Sequence, residues 1–163
     1  MKRIVVILWT ILRVAAVVFL VGCASLHLRR FDGAMGVSLP QWLKPVGAVL
    51  LAIGGAAVLR CGAMLSTPGV LPKEFVVFGP FRYLRNPMSL GAVVMMCGLA
   101  LFYRSLSILL FSVVLFLVMH AVVVFLEEPA LEKRFGQSYL QYKRSVNRWL
   151  PTLRYHSDKS MRA

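Results

Sequence analysis

The chain has 163 residues, of which 59% are apolar and only 15% charged. That is too apolar for an ordinary soluble domain, and the length leaves no room for a second, soluble module. Nineteen Lys/Arg against six Asp/Glu give a net charge of +13. In so apolar a chain this excess belongs to loops and tails beside anionic lipid, which excludes nucleic-acid binding as the explanation.

Four apolar stretches predict an all-α integral membrane bundle of about four transmembrane helices, over 4–28, 46–65, 88–103 and 105–126. A helix needs about 20 residues to cross a ~30 Å hydrocarbon core. The third stretch reaches only about 24 Å at helical rise, so it is short. Met1-Lys2-Arg3, an apolar run and Leu20-Val21-Gly22-Cys23 imitate a lipoprotein signal. Arg13 within that run, and the three apolar stretches after it, argue instead for a retained first span. Near the bilayer centre Arg13 costs about 2.5–3.5 kcal/mol, so it either pairs inside the bundle or snorkels. Cys23, Cys61 and Cys97 have no metal-type spacing and read as reduced packing residues; no metal site is expected.

The connection from Ser66 to Pro87 carries Thr67-Pro68-Gly69, Leu71-Pro72-Lys73 and Gly79-Pro80, all helix-breaking. Phe75, Val76, Val77 and Phe78 are apolar, so the loop folds against the bundle or the headgroups. Arg82 and Arg85 stand three apart and can share a face. Asn86-Pro87 has the form of an N-cap and first residue for the third helix, whose free N–H groups can hold a polar or anionic ligand. A basic loop facing lipid fits the same residues. Tyr103-Arg104-Ser105 is the one polar break before the fourth helix and predicts a tight antiparallel hairpin.

Glu127 and Glu128 lie at the exit of the fourth span. His120, two turns before Glu127, falls on nearly the same face. Carboxylates at a helix C-terminus oppose its dipole, which favours a functional reason for the pair. Glu127, Glu128 or His120 could accept a proton, and spacing does not choose among them; a hydrogen-bonded interior histidine explains His120 equally well. Beyond Pro129, Leu131, Phe135, Tyr139, Tyr142 and Val146 recur at helical spacing among basic residues. They predict an amphipathic interfacial helix over 130–149, anchored by Trp149.

Charge orients the bundle. With a cytoplasmic N-terminus, fourteen Lys/Arg fall on the inner side and four, Arg29, Arg30, Lys44 and Arg104, on the outer. The expectation is a bacterial inner-membrane protein with both termini cytoplasmic.

The run Gly79-Pro80-Phe81-Arg82-Tyr83-Leu84-Arg85-Asn86-Pro87-Met88, followed by Glu127-Glu128-Pro129, Phe135-Gly136, Tyr139, Tyr142 and Trp149-Leu150-Pro151, resembles the isoprenylcysteine carboxyl methyltransferase and phospholipid methyltransferase superfamily. The resemblance covers about 66–151 and implies a single membrane methyltransferase domain using S-adenosylmethionine. It assigns Arg82, Tyr83, Arg85, Asn86 and Pro87 to the cofactor, with Glu127 and Glu128 closing the pocket. Ser89, Tyr139 and Arg148 are left to face the substrate. Members usually carry Tyr where this chain has Ser89, which bears on the acceptor more than the cofactor. The implied acceptor is lipophilic and enters from the bilayer: a prenylcysteine-like carboxylate, a phospholipid amine or another lipid-like molecule. A nicotinamide-dependent membrane reductase with a related C-terminal pattern and a non-catalytic membrane adaptor are the competing classes.

Overall fold

The structure is a computed structural model and describes residues 22–23, 27–33, 36, 38–66, 77 and 79–152. The expected first span, except its last few residues, lies outside these, as do Arg13, most of 67–78 and the tail beyond 152. Residues 27–33 are helical, so helix extends past the expected end at 28. Every regular element with defined bounds is helical: α1 (Leu43–Ser66), a 3-10 turn (Gly79–Arg82), α2 (Pro87–Tyr103), α3 (Leu106–Val122), a π-helical turn (Val123–Glu127), α4 (Glu128–Phe135) and α5 (Gln137–Ser145).

α1 and α2 run antiparallel, and glycine sets their separation. Gly47 and Gly54 on α1, and Gly91 and Gly98 on α2, each recur after seven residues and so line one face. A Cβ at Gly54 would stand 2.4 Å from the Met95 backbone nitrogen, and one at Gly98 2.4 Å from that of Leu51. The backbones are therefore in contact, the arrangement small residues permit between membrane helices.

α2 ends at Arg104, whose backbone is left-handed at φ 57 and donates to the carbonyls of Ala100 and Leu101. Ser105 then caps α3, its hydroxyl accepting from the Ile108 N–H at 3.1 Å. The result is the short hairpin expected from Tyr103-Arg104-Ser105. Its core packs Met96, Ala100 and Ile108 against Leu99, Leu109, Phe111 and Leu115. Asp32 fastens residues 27–33 to this end by accepting from the Ser107 N–H at 3.0 Å.

The helix begun at Leu106 does not stop at the carboxylate pair. It continues through the π-turn to Phe135, 30 residues in all, or about 45 Å. That exceeds a ~30 Å hydrocarbon core by about ten residues. Leu106–Phe135 and Leu43–Met64 are long and apolar enough to cross a membrane, and α2, at 17 residues, is shorter. Only 17% of the most apolar window of Leu106–Phe135 is buried, against the mostly buried core helix of a soluble domain. Leu110, Val113, Val114, Leu117, Val118, Phe125 and Leu126 are exposed along it, an apolar surface suited to lipid.

Two expectations are corrected. The fourth helix does not end at 126, so Glu127 and Glu128 do not sit at a helix C-terminus and the dipole argument for them lapses. The tail helix expected over 130–149 is two helices, α4 and α5, parted at Gly136, whose φ of 53 and ψ of −128 suit glycine alone. Leu131, Phe135, Tyr139, Tyr142 and Val146 keep one period across the break, but they face each other and Val77. The face expected on lipid headgroups is an internal core.

Candidate functional site

The π-turn decides which carboxylate faces inward. One extra residue in a helical turn rotates everything after it by about 100°. Without the turn, Glu127 would fall on the His120 face; with it, Glu128 takes that place. Adjacent residues of the tail demonstrate the alignment, since Arg148 bonds Glu128 and Trp149 bonds His120. Glu127 is turned outward and exposed.

Glu128 is 3% exposed and holds three cations. Arg85 Nη1 donates to its Oε1 at 2.9 Å. Arg148 grips both oxygens, Nε to Oε1 at 2.6 Å and Nη2 to Oε2 at 3.0 Å. Lys143 Nζ lies 3.2 Å from Oε2 and bridges to Glu132. A buried charge is tolerable only when paired this fully. The hydrogen bond to Glu132, assisted by Glu128, raises the Lys143 ammonium above its ordinary pKa, so it stays charged. Burial, with the Glu128 charge beside it, likewise raises the Tyr139 phenol and keeps it neutral.

This knot ties the arginine loop to the tail. The Tyr142 hydroxyl donates to the Phe81 carbonyl at 2.7 Å. The Arg85 N–H donates to the Asn147 carbonyl at 3.0 Å, and the Thr152 N–H to the Tyr83 carbonyl at 2.8 Å. Residues 80–85 are thereby held in place at the start of α2. Asn86 and Pro87 take the expected N-cap and first position of α2, with Pro87 buried, although the Asn86 side chain itself makes no capping bond. Ser89 lies half-buried in the first turn of α2.

His120 is committed as well. The Trp149 indole N–H donates to His120 Nδ1 at 3.0 Å, and Phe116 packs against the indole at a centroid distance of 5.2 Å. An indole only donates, so Nδ1 is unprotonated and the neutral ring carries its proton on Nε2.

Beside the knot, Arg60 of α1 joins Gly79, Pro80, Arg82 and Tyr83 around a cavity of about 370 Å³. Of the residues assigned to a cofactor, Arg82 and Tyr83 line this cavity, whereas Arg85 and Glu128 are drawn into the ion knot with Tyr139 and Arg148. Arg60 was missed because it lies inside an apolar helix, and Lys143 because it reads as one more basic tail residue. The Arg85 Nε is buried with no partner among the described residues. No group of three or more metal-ligating residues occurs among the described residues.

Two helices long and apolar enough to cross a membrane, with a basic loop and a buried ion knot beside them, make this a helical protein suited to a membrane. The chain belongs to the phospholipid methyltransferase family, whose model matches residues 43–138, from α1 into α5. No curated protein and no solved structure matches it. The family is one of methyltransferases, in agreement with the resemblance carried by the 79–88 run and the Glu127-Glu128-Pro129 series.

Proposed function

We propose that the protein is an integral membrane methyltransferase that uses S-adenosylmethionine to methylate a lipophilic acceptor arriving through the bilayer. The observation that carries this reading is the Glu128 knot. It fixes the arginine loop, by three cations on one buried carboxylate, where an apolar hairpin meets a polar cavity.

The donor set fits the cofactor. S-adenosylmethionine presents a carboxylate, an ammonium, ribose hydroxyls and a flat adenine. Arg60 and Arg82 suit the carboxylate, the 55%-exposed Tyr83 ring suits the base, and the outward Glu127 suits the ammonium or the hydroxyls. When bound, the cofactor supplies an electrophilic methyl, which leaves the protein alignment and exclusion of water. The knot performs the alignment by holding Arg85, and with it Arg82 to Pro87, against the tail. Glu128 has its oxygens occupied by charged donors and His120 carries its proton on Nε2, so Glu127 is the carboxylate best suited to take a proton from an amine acceptor. A carboxylate acceptor needs no base. Four spans with both termini in the cytoplasm complete the reading, and the fourteen-to-four charge asymmetry supports them.

The test is calorimetric titration of the purified protein with S-adenosylmethionine and, separately, with a reduced nicotinamide dinucleotide. It is followed by radiolabelled methyl transfer to extracted lipids and prenylcysteine analogues. Binding of the sulfonium cofactor and label in the lipid phase are expected. Binding of only the nicotinamide would replace this reading with a reductase, and cofactor binding without transfer would favour an adaptor.

A further inference from the structure

A second cavity, of about 490 Å³, lies at the opposite end of the hairpin and is lined by Arg29, Asp32, Ser38, Lys44, Phe102, Tyr103 and Arg104. α2 starts at the ion knot and ends here, so about 25 Å of helix separates the two places.

Its charges are unevenly satisfied. Asp32 is occupied: partial burial would raise its carboxyl, but bonds from Ser105 and Ser107 outweigh this and hold it below the usual range. Arg104 spends Nε on the Leu39 carbonyl at 2.6 Å and Nη2 on the Ser38 hydroxyl at 3.2 Å, which shapes the wall. The Arg29 guanidinium lies over the Tyr103 ring, 4.7 Å from its centroid. The exposed Lys44 ammonium makes no ion pair among the described residues. Three cations thus surround a cavity whose one carboxylate among the described lining residues, Asp32, caps α3 and lies in the field of Arg29. The surrounding aromatics set the depth, with Trp42 70% exposed, Phe31 53% and Phe102 41%. Exposed aromatics ringing the end of an apolar bundle mark the headgroup level of a bilayer.

From this juxtaposition we infer that the cavity binds the phosphodiester of an anionic phospholipid, in the leaflet opposite the candidate active site. Lys44 and Arg29 supply the charge, Arg104 and Ser38 the fixed wall, and Phe102 and Tyr103 the contact with the lipid's glycerol and upper acyl region. A lysine neutralises the phosphate as a point charge, and an arginine braced on an aromatic ring keeps its N–H donors as well as its charge.

The experiment is native mass spectrometry of the full chain in detergent, with phosphatidylglycerol and phosphatidylcholine offered at equal concentration. Wild type is compared with Lys44→Ala and with Lys44→Glu/Arg29→Glu. Wild type should retain phosphatidylglycerol at least fivefold over phosphatidylcholine, Lys44→Ala should lower that preference, and the double variant should abolish it. Lys44→Ala removes an exposed group with no described partner, so its result stands even if the double variant folds poorly. Equal retention of both lipids, or undiminished preference in Lys44→Ala, overturns the proposal. Inorganic phosphate added as a competitor tests the source of the anion. Displacement of the lipid by millimolar phosphate would make the occupant a small anion and overturn the lipid assignment, whereas persistence supports it. Methyl transfer is not part of the readout, so the result is independent of the proposed activity.

Discussion

Glu127 and Glu128 are neighbours with opposite fates, and the difference between them is measurable. Glu128→Gln leaves Arg85, Arg148 and Lys143 around a neutral amide. Breaking a buried ion pair by removing one partner costs about 3–5 kcal/mol, so this variant should unfold at markedly lower temperature in detergent and lose cofactor binding with it. Glu127→Gln changes an exposed group, and its melting curve should stay within about 0.5 kcal/mol of wild type. Its methyl transfer to an amine acceptor should fall while its fold is intact. Equal thermal effects of the two substitutions would show that the knot does not organise the loop. At the same scale, Trp149→Phe removes the partner of His120 Nδ1 at a cost of about 1 kcal/mol. Nitrogen-15 spectra of the imidazole should show a single Nε2–H tautomer in wild type and a mixture in the variant. The Glu-Glu pair and the histidine were visible in the sequence, but their division of labour was not. It depends on one extra residue in a helical turn, which no side-chain pattern announces.

Among the elements, glycines that look alike differ by their neighbours. Gly54 meets the Met95 backbone nitrogen at 2.4 Å from an added Cβ, while adjacent Gly55 meets only the Met95 sulfur, at 4.0 Å. Gly54→Ala must therefore push α1 and α2 apart, at a cost of about 1–3 kcal/mol. Gly55→Ala should be neutral or stabilise by up to about 1 kcal/mol through helix propensity. Thermal unfolding of both variants in detergent checks the pair, and a similar loss in each would mean that the helices are not in backbone contact. Gly136→Ala forces a Cβ into a backbone region that favours glycine, at about 1–3 kcal/mol. Because Gly136 folds α5 back on α4, this variant should loosen the Tyr139–Tyr142 core, seen as faster hydrogen exchange over 137–152. The hydrophobic period of the tail was legible. Its division in two was not, because 131, 135, 139, 142 and 146 keep step across the turn.

For the whole molecule the open quantity is orientation. With both termini cytoplasmic, a cysteine at residue 33 lies on the far side of the membrane from the ion knot. Gly33 has nothing within 4 Å of an added Cβ, so Gly33→Cys in a cysteine-free background should fold normally. An impermeant thiol reagent added to intact cells is expected to label it. Protection of that cysteine, with labelling of one placed at exposed Lys133, would invert the protein and bring the candidate active site out of the cytoplasm.

The apolar runs, the helix-breaking loop and the two ordered motifs determined by themselves that this chain is helical, membrane-type and a member of a methyltransferase family. Hydrophobic length and local backbone chemistry act over a few residues and are written directly in the sequence. Tertiary structure alone decided that Glu128 and not Glu127 is buried, that Arg148 and Lys143 share it with Arg85 from 63 and 58 residues away in the chain, and that Trp149 holds His120. Those outcomes depend on the rotation of one helix and the return of the tail across the loop. The free energy of a buried charge selects such an arrangement only once every partner is in place.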